Sequence, residues 1–419
     1  MFKIYALGLF FALYFSGCAT LTPSVSEKSG DDFAVLKALD AQREQDFSLA
    51  SILFYELYKK TNNKEYLYQS IKNDITTSKN KEAIAKVDEH MQSGSYDFEL
   101  ARLKTVAFMN LFELNSAKEV ALELSSKSNI GDDYVLLADI YLKQKDNQNA
   151  LDALKKAYDI DHKEEVVDSM SVMMYASMDL KKEAISVLES HSRIYGCSSL
   201  ICNRLIGFYS DQNNANGILQ TFLRLYKLEP TEEIAKKIIS LYIYTRDFKS
   251  LEEFLLTSKV DDEILLSLYA QDERYNEAKT LADELYAKTH RVEFLAQSAI
   301  FEFEGAKDKK NKELLSRVVA NLEEVLKSAR SPMHLNYLGY VLIDNDVDVL
   351  RGVELVKEAL KSEPDSLYYL DSLAWGYYKL KRCKEAKEAI DRAIELGGDE
   401  HDEVMLHKKA IDKCIKGKK

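Results

Sequence analysis

Residues 335–396 read LNYLGYVLIDNDVDVLRGVELVKEALKSEPDSLYYLDSLAWGYYKLKRCKEAKEAIDRAIEL, and one helical pattern occurs in them twice. In the first copy Leu335, Leu338, Gly339 and Leu342 are followed by Val356, Ala359 and Pro364; in the second, Leu370, Leu373, Ala374 and Tyr377 are followed by Ala386, Ile390, Ala393 and Gly398. Steps of three and four put the apolar side chains on one face of each helix. Gly or Ala at fixed points lets two helix axes approach to roughly 8–10 Å, which larger side chains would prevent. Each unit is therefore expected to be a pair of antiparallel helices. Pro364 cannot continue a helix, and Gly398 is expected to supply the left-handed residue that ends one.

The same period runs upstream. The small or apolar residue near the start of each second helix recurs at Ala50, Ala83, Ala117, Ala150, Ala184, Ile218, Leu251 and Ala278, in steps of 33 or 34 until a last step of 27. Tyr141, Tyr175, Tyr209, Tyr242 and Tyr269 each stand nine residues before their ladder residue, as Tyr377 stands before Ala386. This pattern resembles the tetratricopeptide repeat, a helical hairpin of about 34 residues. The resemblance implies an all-α, right-handed superhelical solenoid of about ten to eleven repeats over 33–400, closed by a cap helix and basic tail over 401–419. The register loosens over 291–330, around Gly305-Ala306-Lys307-Asp308-Lys309-Lys310, and one residue is inserted between Leu342 and Gly352.

Composition agrees with that fold. A chain of 419 residues usually means two or three domains, but stacked repeats extend one core with every unit and need no boundary. Four prolines, fifteen glycines and 30% charged residues suit helices joined by short turns. A net charge of −12 argues against nucleic acid, which requires a clustered basic face. Lysines crowd only at Lys408, Lys409, Lys413, Lys416, Lys418 and Lys419, as expected for a solvated helix end with cations at the negative end of its dipole.

At the N-terminus Lys3 precedes a twelve-residue apolar run, Ile4 to Phe15, followed by Ser16-Gly17-Cys18. The run is short for a permanent span and reads as a signal peptide, 1–17. Ser16-Gly17-Cys18 resembles the bacterial lipobox, although Phe15 stands where Leu is usual. That resemblance implies acylation of Cys18 and, through Ala19, sorting to the outer membrane facing the periplasm. Several acyl chains hold where one does not. Residues 18–32 carry Pro23 and Gly30 without apolar period and are expected to form a flexible tether.

Four further cysteines remain. Cys197 and Cys202, four residues between them and no partnered pair nearby, do not make a zinc site. Cys383 lies in the turn of the last strong repeat and Cys414 late in the following helix, which returns to that edge; a bridge between them is the expectation, with two free thiols as the alternative. The sequence has no Gly-rich phosphate loop, no His-Glu-x-x-His and no Gly-x-Ser-x-Gly. His90, His162, His191, His290, His334, His401 and His407 are scattered, and the last two are six apart, off one helical face. Acidic pairs such as Asp132-Asp133 and Asp261-Asp262 fall at repeat boundaries, where capping is expected. No enzyme activity, cofactor, metal or small-molecule substrate is expected.

In the tetratricopeptide fold the first helices line a concave groove. The resemblance places Met333, Asn336, Tyr340 and Ile343, then Tyr368, Asp371, Trp375 and Tyr378, outward from the two strong repeats. Earlier units offer Glu99, Arg102, Asp139, Met173, Asn203, Gly207, Lys236 and Ser240 there. Asn336, Tyr340, Tyr368, Asp371, Trp375 and Tyr378 are the expected partner contacts, since interfaces favour such aromatic anchors; Trp375 packing on the cap helix is the alternative. The runs Asn336-Tyr337-Leu338-Gly339-Tyr340 and Asp371-Ser372-Leu373-Ala374-Trp375 further resemble outer-membrane lipoproteins built from these repeats. A member of that group is an adaptor between a periplasmic carboxy-terminal processing protease and cell-wall hydrolases. The resemblance implies a scaffold for periplasmic or envelope proteins; an assembly scaffold for a secretin, a β-barrel machine or a flagellar motor is the alternative.

If Cys18 carries the acyl groups, Cys18→Ala accumulates as unprocessed precursor and takes up no fatty-acid label. A variant that still matures to residue 18 and fractionates with outer membrane overturns this.

Overall fold

The computed structural model describes residues 28–94 and 96–417, so the signal peptide, Cys18 and most of the tether lie outside it. Among the described residues there are 23 α-helices, one 3-10 helix at Gly398–Glu400 and no strand. Twenty-two of the helices pair into eleven hairpins in chain order, from Lys28–Arg43 with Phe47–Thr61 to Leu367–Lys379 with Cys383–Glu395, and Asp402–Lys416 stands alone after them. The architecture is an all-α array of tetratricopeptide-type hairpins.

Two compact units divide the chain, one ending at Leu228 and the other beginning at Glu229, where the sequence reading had put no boundary. The break falls beside Pro230, whose ring cannot continue the helix Ala215–Leu228. The N-terminal unit holds six hairpins, the C-terminal unit five and the terminal helix. The loose stretch is a hairpin as well: Val292–Glu304 and Lys312–Ser328 joined across 305–311, the longest turn within a hairpin. The first described helix begins at Lys28, within the segment 18–32 expected to be a tether.

The period has a concrete geometric basis. Every ladder residue is the fourth residue of its second helix, and Ala50, Ala83, Ala117, Ala150, Ala184, Leu251 and Ala278 are all 0% exposed. Ile218 is only half-buried, and its neighbour Leu219 takes the interior. The fourth position in the strong repeats is Gly352 and Ala386. A Cβ on Gly352 would meet the Gly339 carbonyl at 2.7 Å, and one on Gly339 would meet the Gly352 carbonyl at 2.9 Å and Val356 Cγ2 at 2.6 Å. The two backbones touch, and only hydrogen fits between them.

The turns are equally uniform. In hairpins joined by three residues the middle one is left-handed, for example Gln45, Ser78, Lys145 and Lys381, and the next N–H bonds back to a first-helix carbonyl: Asp46 to Ala41 (2.8 Å), Lys79 to Asp74 (2.8 Å), Asp146 to Tyr141 (2.9 Å), Arg382 to Tyr377 (2.8 Å). That donor residue is also the N-cap of the second helix, and Asp46, Asp146 and Asp247 accept the N–H of Leu49, Asn149 and Ser250. Tyr141, Tyr209, Tyr242, Tyr269 and Tyr377 thus mark helix ends whose carbonyl closes the turn, whereas beside Tyr175 the carbonyl of Met174 does so. At the end of Cys383–Glu395 the left-handed residue is Gly397, φ +96°, and not Gly398. Gly398 is small for another reason: a Cβ there would lie 2.7 Å from the Ala393 carbonyl.

Gly339→Ala should destabilise the protein by about 1–3 kcal/mol, the usual cost of overpacking a filled contact. Gly207→Ala, in a helix where nothing lies within 4 Å of the added carbon, should stabilise it by about 0.5–1 kcal/mol. Thermal denaturation followed by circular dichroism checks the opposite signs.

Candidate functional site

The first helices Pro332–Asp344 and Leu367–Lys379 carry most of the expected contact residues, and the terminal helix decides which of them are free. His407 Nδ1 lies 2.9 Å from both oxygens of Asp371, and its ring stacks on Trp375 with centroids 4.1 Å apart and planes at 16°. Trp375 Nε1–H donates to Asp344 Oδ1 at 3.0 Å, and the indole also stacks with Tyr378, centroids 4.8 Å apart. Tyr340 donates to Glu403 Oε1 at 3.2 Å; desolvation, then the nearby carboxylates, push its hydroxyl well above the usual phenol range, which keeps the proton it donates.

The structure therefore sorts the six residues. Asp371 is 8% exposed and engaged, so the expectation that it fills no core is corrected. Trp375 packs on the terminal helix, Tyr378 packs on Trp375, and Tyr340 is half-buried. Tyr368 is 57% exposed, with His401 against its ring at 5.4 Å between centroids, and Met333, at the corresponding place in the preceding repeat, is 55% exposed. Asn336 is half-buried, and its Oδ1 is shielded from water with no hydrogen-bond partner. Ile343, placed outward by the sequence, is 0% exposed: it fills the space left by Gly352 and Gly376, whose Cβ atoms would meet it at 2.7 and 3.0 Å. Met173 is buried likewise.

Burial at Asp371 has a simple cause. Asp371 and His407 are 36 residues apart, as are Asp168 and Arg204 in successive first helices, where the guanidinium donates from Nε (2.6 Å) and Nη2 (3.0 Å) to the two carboxylate oxygens. The terminal helix occupies the place of a further first helix. Cys383, 2% exposed, is bonded to Cys414 of that helix with Cα atoms 5.8 Å apart, and Cys197 is bonded to Cys202 with Cα atoms 5.4 Å apart.

Polar pairs one repeat apart recur through the N-terminal unit, and sequence reading missed most of them. Lys64 pairs with Asp97, Arg102 with Asp133, Arg224 with Glu189, Tyr158 with His191, Tyr58 with His90. Asp133 was expected to cap a helix. It lies inside Gly131–Lys143, 1% exposed, and accepts Arg102 through both oxygens, whereas Asp261 does cap by accepting the Ile264 N–H. Glu189 also accepts the Tyr209 hydroxyl, which desolvation and then that bond push up to about 12. The tightest cluster joins Lys86 Nζ to Ser51 Oγ (3.0 Å), Ser70 Oγ (2.8 Å) and Asp74. A serine beside a lysine suggests a nucleophile and its base. Here both serines are at most 1% exposed and the ammonium is paired with a carboxylate, so no substrate reaches them. Among the described residues no group of three or more His, Cys, Asp or Glu could hold a metal ion.

No protein-family model matches this chain, and no curated protein matches it. Solved structures similar to it include the Cut9–Hcn1 hetero-tetramer of the APC/C (13% identity, 91% of each chain covered, TM-score 0.35). Others are MamA from Desulfovibrio magneticus RS-1 (16% identity, 40% of this chain and 95% of that one, TM-score 0.34) and PilF of Pseudomonas aeruginosa (13%, 48% and 93%, TM-score 0.36).

Asp371→Ala leaves the His407 ring without its acceptor in a buried site and should cost about 1–3 kcal/mol. Trp375 is the only tryptophan, so its emission reports the same event: it shifts toward that of a solvated indole at lower denaturant concentration than in the wild type.

Proposed function

We propose that this protein is a scaffold for protein partners, anchored through Cys18 to the outer membrane and facing the periplasm. The observation that carries the binding role is that two successive first helices of the C-terminal unit leave Met333 and Tyr368 exposed, and that the helix of Met333 also holds an Asn336 oxygen that is shielded yet unbonded. Apolar area with one orienting acceptor suits an extended or helical peptide. The anchor is supported by Lys3, the apolar run and Ser16-Gly17-Cys18. Delivery of envelope substrates to a processing protease is the finer reading, supported by the runs at Asn336–Tyr340 and Asp371–Trp375 and by eleven hairpins, enough to hold two partners at once.

Tyr368→Ala combined with Met333→Ala removes two exposed anchors and should weaken partner capture about thirtyfold, the equivalent of roughly 2 kcal/mol. Folding should be unaffected because neither side chain fills a core. Crosslinking in the envelope with identification of the captured proteins, followed by titration of the purified partner, measures the effect. Unchanged affinity of the double variant removes this face from the binding site.

A further inference from the structure

The first hairpin exposes apolar side chains that its position in the array does not explain. Phe33 stands seventeen residues before Ala50, and at the same offset the later hairpins of the N-terminal unit carry Tyr66, Leu100, Asp133, Val167 and Ile201. Four of those five are at most 1% exposed, and Tyr66 stacks on Phe54 of the hairpin before it, whereas Phe33 is 70% exposed. Leu36 is 64% exposed and Leu39 49%, on the same side of that helix in steps of three. The position of Phe33 is the one that later hairpins bury; at the offset of Leu39 they carry Lys72, Val106, Asp139, Met173 and Gly207, and Asp139 and Gly207 are exposed there. For the first hairpin the described residues supply no preceding hairpin.

A missing helix would account for that side alone. Leu49 (39% exposed) and Ile52 (53%) lie on the second helix of the hairpin, at offsets where the next five hairpins carry Glu82 and Ala85, Ser116 and Glu119, Asn149 and Asp152, Glu183 and Ser186, Gly217 and Gln220. No large apolar residue recurs there: eight of the ten positions are exposed, Ser116 is half-buried, and Gly217 lies against the Tyr209 ring. Exposed apolar side chains therefore lie on both helices of the first hairpin, more than one docked helix accounts for, as suits a broad apolar boundary. Its place in the chain supplies one: Lys28 is ten residues from Cys18, a span of roughly 35 Å at full extension.

We infer that the first hairpin, Lys28–Arg43 with Phe47–Thr61, lies on the lipid surface, with Phe33, Leu36, Leu39, Leu49 and Ile52 in the headgroup–acyl boundary. The inference rests on the anchor at Cys18, which holds the hairpin at the bilayer. Large apolar side chains seated at that boundary add their own affinity to that of the acyl chains. The tether then brings the array down onto the membrane, with the N-terminal hairpin fixed against it.

Phe33→Trp and Ile52→Trp, each in the full processed protein reconstituted into phosphatidylethanolamine–phosphatidylglycerol vesicles, test this. Both probes should shift to the blue and be quenched by lipids brominated near the headgroup, while Trp375 in the wild type and a Phe112→Trp probe at an exposed turn of the third hairpin stay unquenched. Unquenched emission from both probes overturns the inference. So does a blue shift already present without vesicles and accompanied by a doubled mass in sedimentation, which assigns the face to a second copy. The mass of the N-terminal peptide reports the anchor separately: absence of acyl groups on Cys18 overturns the anchor, and the probes still read the surface.

Discussion

Backbone contact at the crossing point of each hairpin is the constraint from which the remaining structure follows. Seven of the eleven hairpins have Ala at the fourth residue of the second helix, where the two helices cross, three accommodate Ile218, Leu251 or Leu315, and Gly339 against Gly352 is the limiting case, with each carbonyl occupying the space of the other's absent side chain. Once that point is fixed, the left-handed turn residue, the N–H that bonds back across it and the N-cap all fall at set offsets. The repeat length is the arithmetic of that geometry.

This is why the fold was legible and the binding face less so. The ladder from Ala50 to Ala278 and the tyrosines nine residues before it depend on contacts inside one hairpin, where spacing along the chain is spacing in space. Polar contacts between first helices of successive hairpins join residues more than 30 apart, such as Arg102 with Asp133 or Arg204 with Asp168. In a chain with 30% charged residues many acid–base pairs fall at those separations, so spacing alone does not select the real ones. Asp371, placed outward by the sequence, was misjudged for that reason, since its partner His407 lies 36 residues on, in the terminal helix. Gly397 and Gly398 illustrate a finer limit, since which of two adjacent glycines turns left-handed depends on a helix end that sequence places only to within a residue or two.

The buried ion pairs bear on specificity as well as stability. Replacing a desolvated pair with apolar residues is often neutral in energy, but removing one partner is costly because the other charge is left stranded. In an array of similar hairpins a slipped or skipped repeat would bury much the same apolar area. It would also set Asp133, 1% exposed, against something other than Arg102, and Asp168, 9% exposed, against something other than Arg204. These pairs thus penalise wrong neighbours more than they reward the right ones, a role that fits charges kept inside a core that Ala and Leu could fill.

Arrays of this kind are weakest at their ends, where a hairpin lacks one neighbour. At the C-terminus the helix Asp402–Lys416 takes the place of the missing first helix, and the bridge from Cys383 to Cys414 ties it to the hairpin it covers. Closing a separation of 31 residues stabilises by about 3–4 kcal/mol on the chain-entropy scale, and all of it acts on the segment most prone to fray. The bridge from Cys197 to Cys202 closes a separation of only 5, so the same scale gives it about 2 kcal/mol, and it fixes the junction between two hairpins inside the N-terminal unit. Covalent reinforcement is therefore largest where packing supplies least. By that logic the first hairpin, with no bridge and with Phe33 exposed at a position that later hairpins bury, is the end at which something outside the array must supply the contact.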